Sequence, residues 1–172
     1  MKRIAVIGSA FNPPTLGHAD VIAQSLAQAD EAWLVPAFRH AWGKSMAPYR
    51  DRCAMTQALV ADVADPRVQF MAVEHRIATE APVYSIDLME YLQSFSNDDV
   101  QLCLALGPDN LAALEKFHRG EELLARWPLI RTAERIPIRS TRVRARLADG
   151  KDIHDLTTPG VVAYLKQHPL YR

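Results

Sequence analysis

Apolar residues along this chain fall into two rhythms, and the alternation between them sets out the elements. Ile4-Ala5-Val6-Ile7 is an unbroken apolar run, too short for a helix and closed by Gly8-Ser9, the pattern of a strand buried on both faces. Ile22, Leu26 and Ala29 then recur at helical spacing and mark the apolar face of a helix ending near Asp30. Residues 32–37 read as a second strand. Strand, helix and strand in so short a stretch form a βαβ unit, whose strands run parallel through a right-handed crossover. Tyr49 to Val63 is expected to be helical, with Cys53, Met55, Ala58, Leu59 and Val63 on its apolar stripe. Residues 68–73 predict a third strand, residues 74–80 a polar loop and edge with His75 as a surface histidine, and residues 101–106 a buried strand. Ile86, Met89 and Leu92 share one helix face behind Ser85, a good N-cap residue. Gly107-Pro108-Asp109-Asn110 turns into another helix, Val143 and Leu147 belong to a helix opening near Ser140, and a closing helix runs over residues 159–168.

Composition narrows the class without choosing a function. The 172 residues suit one domain over residues 1–172, and 49% hydrophobic with 23% charged residues is ordinary globular usage. A formal net charge of zero leaves no global field to draw in nucleic acid or an anionic membrane, so recognition through charge must be local. Lys2-Arg3 ahead of residues 4–7 faintly resembles a leader, but the apolar run is too short and meets Asn12-Pro13-Pro14; the mature chain is expected to start at Met1. No run approaches a membrane span, and Cys53 and Cys103 are expected to be reduced core thiols of a cytoplasmic protein.

The chemistry concentrates in Gly8-Ser9-Ala10-Phe11-Asn12-Pro13-Pro14-Thr15-Leu16-Gly17-His18. A strand that runs into small residues and then a helix brings free backbone N–H groups and a positive helix end together, a setting suited to phosphate. Thr15 and His18, three apart, share one face of the first helical turn and offer a hydroxyl and an imidazole. The spacing is neither a Walker loop nor G-x-G-x-x-G. It resembles the signature of the HxGH/TxGH nucleotidyltransferases, and Ile138-Arg139-Ser140-Thr141-Arg142-Val143-Arg144 resembles that family's second signature, I-S-S-T-x-x-R. The likeness covers nearly the whole chain and implies an α/β, Rossmann-like, doubly wound parallel sheet in a single domain.

Along its middle the chain is most similar to the bacterial nicotinate or nicotinamide mononucleotide adenylyltransferases. Ala81-Pro82-Val83-Tyr84-Ser85-Ile86-Asp87-Leu88 resembles their Pro-x-Tyr-Thr-x-Asp-Thr-Leu, which puts Ser85 at a hydroxyl position that contacts pyridine nucleotide. The resemblance implies that Phe117 stacks on the pyridine ring and that Lys44, with His40 second to it, supplies the substrate-side cation of the loop over residues 38–46; the structural reading of Trp42 in that loop is a cover for the adjacent helix. It assigns ATP to Gly8, Ser9, Ala10, Phe11, Gly17, His18, Gly107, Asp109, Ser140, Thr141 and Arg144, with Thr15, His18 and Arg144 as catalytic groups. Residues two apart on a helix point in different directions, so Arg142 is not expected to join Arg144. The implied reaction joins the AMP part of ATP to a pyridine mononucleotide and releases pyrophosphate, with Mg2+ bridging phosphate oxygens and no protein-only metal cage. Thr15, Asn12 and Arg139 depart from the nicotinate branch, and the segment over residues 131–135 is shorter than the family's. These departures leave two other classes open, a transferase with a phosphopantetheine-type acceptor and a non-catalytic nucleotide-binding module.

Overall fold

Lys2–Ser9 (β1) is the central strand of a parallel sheet whose other strands are Glu31–Pro36 (β2), Val68–Phe70 (β3), Val100–Leu106 (β4) and Leu129–Arg131 (β5). The structure, a computed structural model, describes residues 1–40 and 43–172, so the expectation for Trp42 lies outside the described residues. Among the described residues the strand order is β3-β2-β1-β4-β5. The chain winds outward from β1 to β3 and then crosses back to β4, which opens a crevice at the carboxyl ends of β1 and β4 where the winding reverses. Val6 sits between Trp33 of β2 and Leu104 of β4, and Gly8 lies beside Val35.

Because successive side chains of a strand face opposite ways, β1 divides its apolar run between two cores. Ala5 and Ile7 pack with Ile22 of Leu16–Leu26 (α1), Met55 and Leu59 of Tyr49–Val63 (α2), Val143 and Leu147 of Ser140–Ala148 (α7) and Val161 of Pro159–Gln167 (α8). Ile4 and Val6 pack on the other face with Ile86, Met89 and Leu92 of Ser85–Ser94 (α4) and Leu123 of Gly120–Arg126 (α6). The sheet is therefore doubly wound. The two short helices are Glu74–Ile77 (α3) and Pro108–Ala112 (α5), and Gly107 at the end of β4 is the N-cap of the latter. Among the described residues no helix is long and apolar enough to cross a membrane, and Cys53 and Cys103 are free thiols.

Several sequence expectations need correction. β3 stops at Phe70 and not at residue 73, because the chain bends away from the sheet edge into α3. The stretch expected to be polar loop is that helix, and it opens on Glu74, which is buried. Its His75 lies against Tyr49, 3.3 Å from the hydroxyl, and so is not a bare surface residue. Ser85 is not the cap of α4. The cap is Tyr84, whose N–H donates to Asp87 at 3.1 Å, and Ser85 is the first helical residue. The strand β5 and the helix α6 had no counterpart in the hydrophobic pattern.

One buried cation organises the carboxyl edge. Arg52 of α2 is 1% exposed, and its guanidinium donates to carbonyls on two loops: Ala10 at 2.9 Å after β1, and Ala37 at 2.5 Å, Phe38 at 3.3 Å and Ala47 at 2.8 Å between β2 and α2. Burial lowers its pKa, and the nearby Glu74 carboxylate works against that shift. Glu74 in turn accepts the Phe38 N–H at 3.1 Å, so the loop after β2 is gripped through both its carbonyls and its amide. Five donors in a rigid fork suit this task, and a lysine cannot reproduce it. Arg52→Ala is expected to cost about 3 to 5 kcal/mol of stability, with Arg52→Lys recovering only part of it. Urea unfolding measures this as a shift of midpoint at constant slope, and a loss below about 1 kcal/mol for the alanine variant would contradict it.

Candidate active site

The turn after β1 is held by a reciprocal cap. The Thr15 hydroxyl oxygen accepts the N–H of Gly17 at 3.1 Å and of His18 at 3.4 Å, while the His18 Nδ1 accepts the Thr15 N–H at 2.9 Å. This is a capping box in which histidine takes the usual place of glutamate or glutamine. The N–H of Leu16 donates to the carbonyl of Leu156. The first amides of α1 are thus already satisfied, and the expectation of free N–H groups there is corrected. Thr15 is 1% exposed, and its hydroxyl donates to the Ile138 carbonyl at 2.9 Å, which ties the first motif to the second. Gly17 serves the same junction: a Cβ built on it would lie 2.6 Å from the Ile138 oxygen.

With Nδ1 accepting, the imidazole proton resides on Nε2, which donates to the Ser9 hydroxyl at 3.1 Å. Phe11 stacks against the ring at 4.9 Å between centroids. Burial pushes the His18 pKa down to about 4, so at neutral pH the side chain offers a neutral N–H donor. The second motif backs the same turn. Ser140 donates to the Pro13 carbonyl at 2.7 Å, and Arg144 donates to the Asn12 carbonyl at 2.8 Å and to Thr141 at 3.3 Å. Arg142 makes no side-chain hydrogen bond among the described residues, in line with its expected orientation away from Arg144.

Two cavities open on either side of the β1 terminus, and both are lined by Ser9 and Asn110. The first, about 440 Å3, brings together Ser9, Thr15, Gly17, His18, Lys44, Gly107, Asp109 and Ser140. The second, about 500 Å3, brings together Gly8, Ser9, Ala10, His40, Ser85 and Phe117. The hydroxyl of Ser85 has no hydrogen bond among the described residues and faces this second cavity, beside a Tyr84 and His118 ring pair 4.6 Å apart. Lys44 lies on the first cavity and His40 on the second. Phe11, Thr141 and Arg144 line neither: Phe11 is core, and the other two buttress the turn from behind. Arg139, singled out in the sequence as a departure from the signature, stands on the wall of the first cavity, and Arg135 beside it was missed. Arg135 is paired with Asp20 at 2.5 Å, and Arg139 is paired with both Asp109 and Glu134.

Residues 6–146 match the cytidylyltransferase-like family model. The chain belongs to that family. Within it, the chain is 34% identical to the "Probable nicotinate-nucleotide adenylyltransferase" of Anaeromyxobacter dehalogenans strain 2CP-1, over 99% of this chain and 97% of the relative. It is 31% identical to the protein of the same name from Myxococcus xanthus, over 98% and 94%. A crystal structure from Vibrio parahaemolyticus, provisionally assigned as a nicotinate-nucleotide adenylyltransferase, superposes with a TM-score of 0.87 at 34% identity over 100% of this chain and 96% of the other. The fold extends to the nicotinic acid mononucleotide adenylyltransferase of Plasmodium falciparum, solved with NaAD, at a TM-score of 0.79 and 18% identity over 99% and 98% of the two chains. Family membership makes the chain a nucleotidyltransferase.

The capping box predicts a specific acid response. The folded-state pKa of His18 is about 4 against an ordinary 6.5, so between these values the unfolded chain binds more protons. Stability from this group is complete above about pH 6.5 and is lost as pH falls through 4, by up to on the order of 3 kcal/mol. Glu74, pushed up to about 7 by burial, works in the opposite sense over an overlapping range, so the readout is the difference between wild type and variant. His18→Gln, which can keep the box without the titration, is expected to flatten that component in denaturant melts between pH 7 and 4. An unchanged pH profile would contradict the neutral imidazole.

Proposed function

We propose that the protein transfers the adenylyl group of ATP to nicotinate mononucleotide, giving the corresponding dinucleotide and pyrophosphate. The observation that carries this reading is the pair of cavities that share Ser9 and Asn110, with His18 on the wall of the first. A phosphate of a mononucleotide in the second cavity can there approach the α-phosphorus of ATP in the first. An oxygen of the acceptor phosphate forms the new bond to that phosphorus, the bond to the β-phosphate oxygen breaks, and the electron pair leaves with pyrophosphate. No covalent protein nucleophile is needed, so the residues act by positioning and by stabilising charge. His18 donates its Nε2 proton as a hydrogen bond to the α-phosphate in place of Ser9, and Lys44 supplies positive charge on the same wall. Thr15, Ser140, Thr141 and Arg144 hold the Asn12-Pro13-Pro14 turn at the right height; for them this replaces direct phosphate contact as the main role.

Mg2+ would arrive with ATP, held by the nucleotide and not by a protein cage, and would supply neutralisation of phosphate charge. Among the described residues no group of three His, Cys, Asp or Glu side chains could cage it, and the carboxylates of the first cavity are engaged by Arg135 and Arg139.

The acid is favoured over the amide by the charges around the second cavity. Arg39 and Lys116 line it, and its carboxylate, Glu74, is turned to the Phe38 amide. A pyridine carboxylate gains a charge-assisted hydrogen bond there that a carboxamide cannot match, and such bonds are roughly twice as strong as neutral ones. The names of the relatives point the same way. Pyrophosphate release from ATP with nicotinate mononucleotide is expected to exceed that with nicotinamide mononucleotide by about tenfold or more in kcat/KM. A reversed preference would assign the amide, and no release with either would remove the pyridine acceptor.

A further inference from the structure

Arg139 stands where the family signature has a small serine, and its side chain crosses the first cavity. Its backbone caps α7, next to the Ile138 carbonyl that touches Gly17, while its guanidinium reaches Asp109 at 2.7 Å on α5 and Glu134 at 2.5 Å after β5. We infer that Arg139 is a positioning residue for the nucleotide, fixing the Asp109 carboxylate so that its free oxygen receives a hydroxyl of the ATP ribose. This rests on the reading that ATP occupies the first cavity.

Three observations support it. The pair does little for the fold: Arg139 and Asp109 have side chains 58% and 73% exposed, and exposed ion pairs contribute little to stability. The segment after β5 is already fastened to α1, through Gln24 to both the carbonyl and the amide of Ala133 and through Arg135 to Asp20. Second, Arg139 takes Oδ2 of Asp109 and leaves Oδ1 without a hydrogen bond among the described residues, on the wall that also carries His18 and Ser140. A carboxylate accepts and cannot donate, so it repels phosphate and suits the donors of the nucleotide, among which the sugar hydroxyls are matched by acidic side chains in parallel α/β folds. Third, the guanidinium is held at its other nitrogen by Glu134, so Asp109 is gripped from a fixed point and loses the rotamer freedom of an exposed aspartate.

The test is ATP binding by calorimetry, with 2′-deoxy-ATP and 3′-deoxy-ATP as probes, on wild type, Arg139→Ser and Arg139→Lys, all checked for unchanged melting. Arg139→Ser is expected to weaken ATP about tenfold, the scale of one charge-assisted hydrogen bond, with Arg139→Lys in between. For one of the two deoxy nucleotides wild type is expected to bind as weakly as Arg139→Ser binds ATP, and the serine substitution to add less than about twofold, since the partner hydroxyl is gone. Equal binding of ATP by wild type and Arg139→Ser would overturn the inference. So would the same tenfold penalty on ATP and on both deoxy analogues, because Arg139 would then act on phosphate directly. Wild type that binds ATP yet forms no dinucleotide would refute the proposed function alone, leaving this comparison to decide Arg139.

Discussion

The carboxyl edge of the sheet depends on the Arg52 guanidinium. An arginine taken out of water loses its hydration, and here four carbonyl oxygens replace it, drawn from the turn after β1 and from both ends of the loop between β2 and α2. Two further bonds join those loops, from the Ala37 N–H to the Ser9 carbonyl and from the Ala47 N–H to the Asn12 side chain. With Arg52 between them, the Ala10 carbonyl and the Ala37 and Phe38 carbonyls keep a set distance, and the space between the two loops is the floor of the second cavity. Glu74 closes the arrangement from below through the Phe38 amide, and its own burial pushes its pKa up to about 7.

The turn bearing His18 is locked from the opposite side by analogous means. Asn12 accepts from the Ala47 amide and from the Tyr171 hydroxyl through its side chain, and from Arg144 through its carbonyl. Thr15 and Ser140 exchange bonds between the two motifs. The residues that look like phosphate ligands in the linear signature therefore spend most of their hydrogen-bonding capacity on each other. What they leave exposed toward the crevice is small: the Ser9 hydroxyl and the Nε2 edge of His18. Preorganised donors of this kind cost no rearrangement at the moment of reaction, which makes them effective against developing charge.

Much of this was legible in the hydrophobic pattern, and the failures have a common cause. Helix α2 has the bounds its stripe indicated, and the turn from β4 through Gly107 into α5 follows its Gly-Pro-Asp-Asn sequence. The two motifs meet in space as their likeness implied. Arg52 was not legible, because an arginine in a polar helix reads as solvent-facing and its partners lie on loops far from it in the chain. Glu74 was misread for the same reason. Ser85 was expected to cap α4 because its hydroxyl is a common cap, whereas Tyr84 holds that position with Asp87 accepting its N–H, and Ser85 lines the cavity. β5 escaped notice because three residues carry no period. Local pattern reports burial by elements; it does not report burial by loops.

The account stands on two reactant cavities that share Ser9 and Asn110, with His18 on the wall of the first. A crystal structure with a non-hydrolysable ATP analogue and nicotinate mononucleotide bound together tests this most directly. The account predicts the triphosphate in the cavity of Lys44, Asp109 and Ser140, the pyridine ring between Phe117 and Ser85, and the acceptor phosphate within reach of the α-phosphorus beside His18 Nε2. Both ligands in one cavity, or the triphosphate on the Phe117 side, would contradict it.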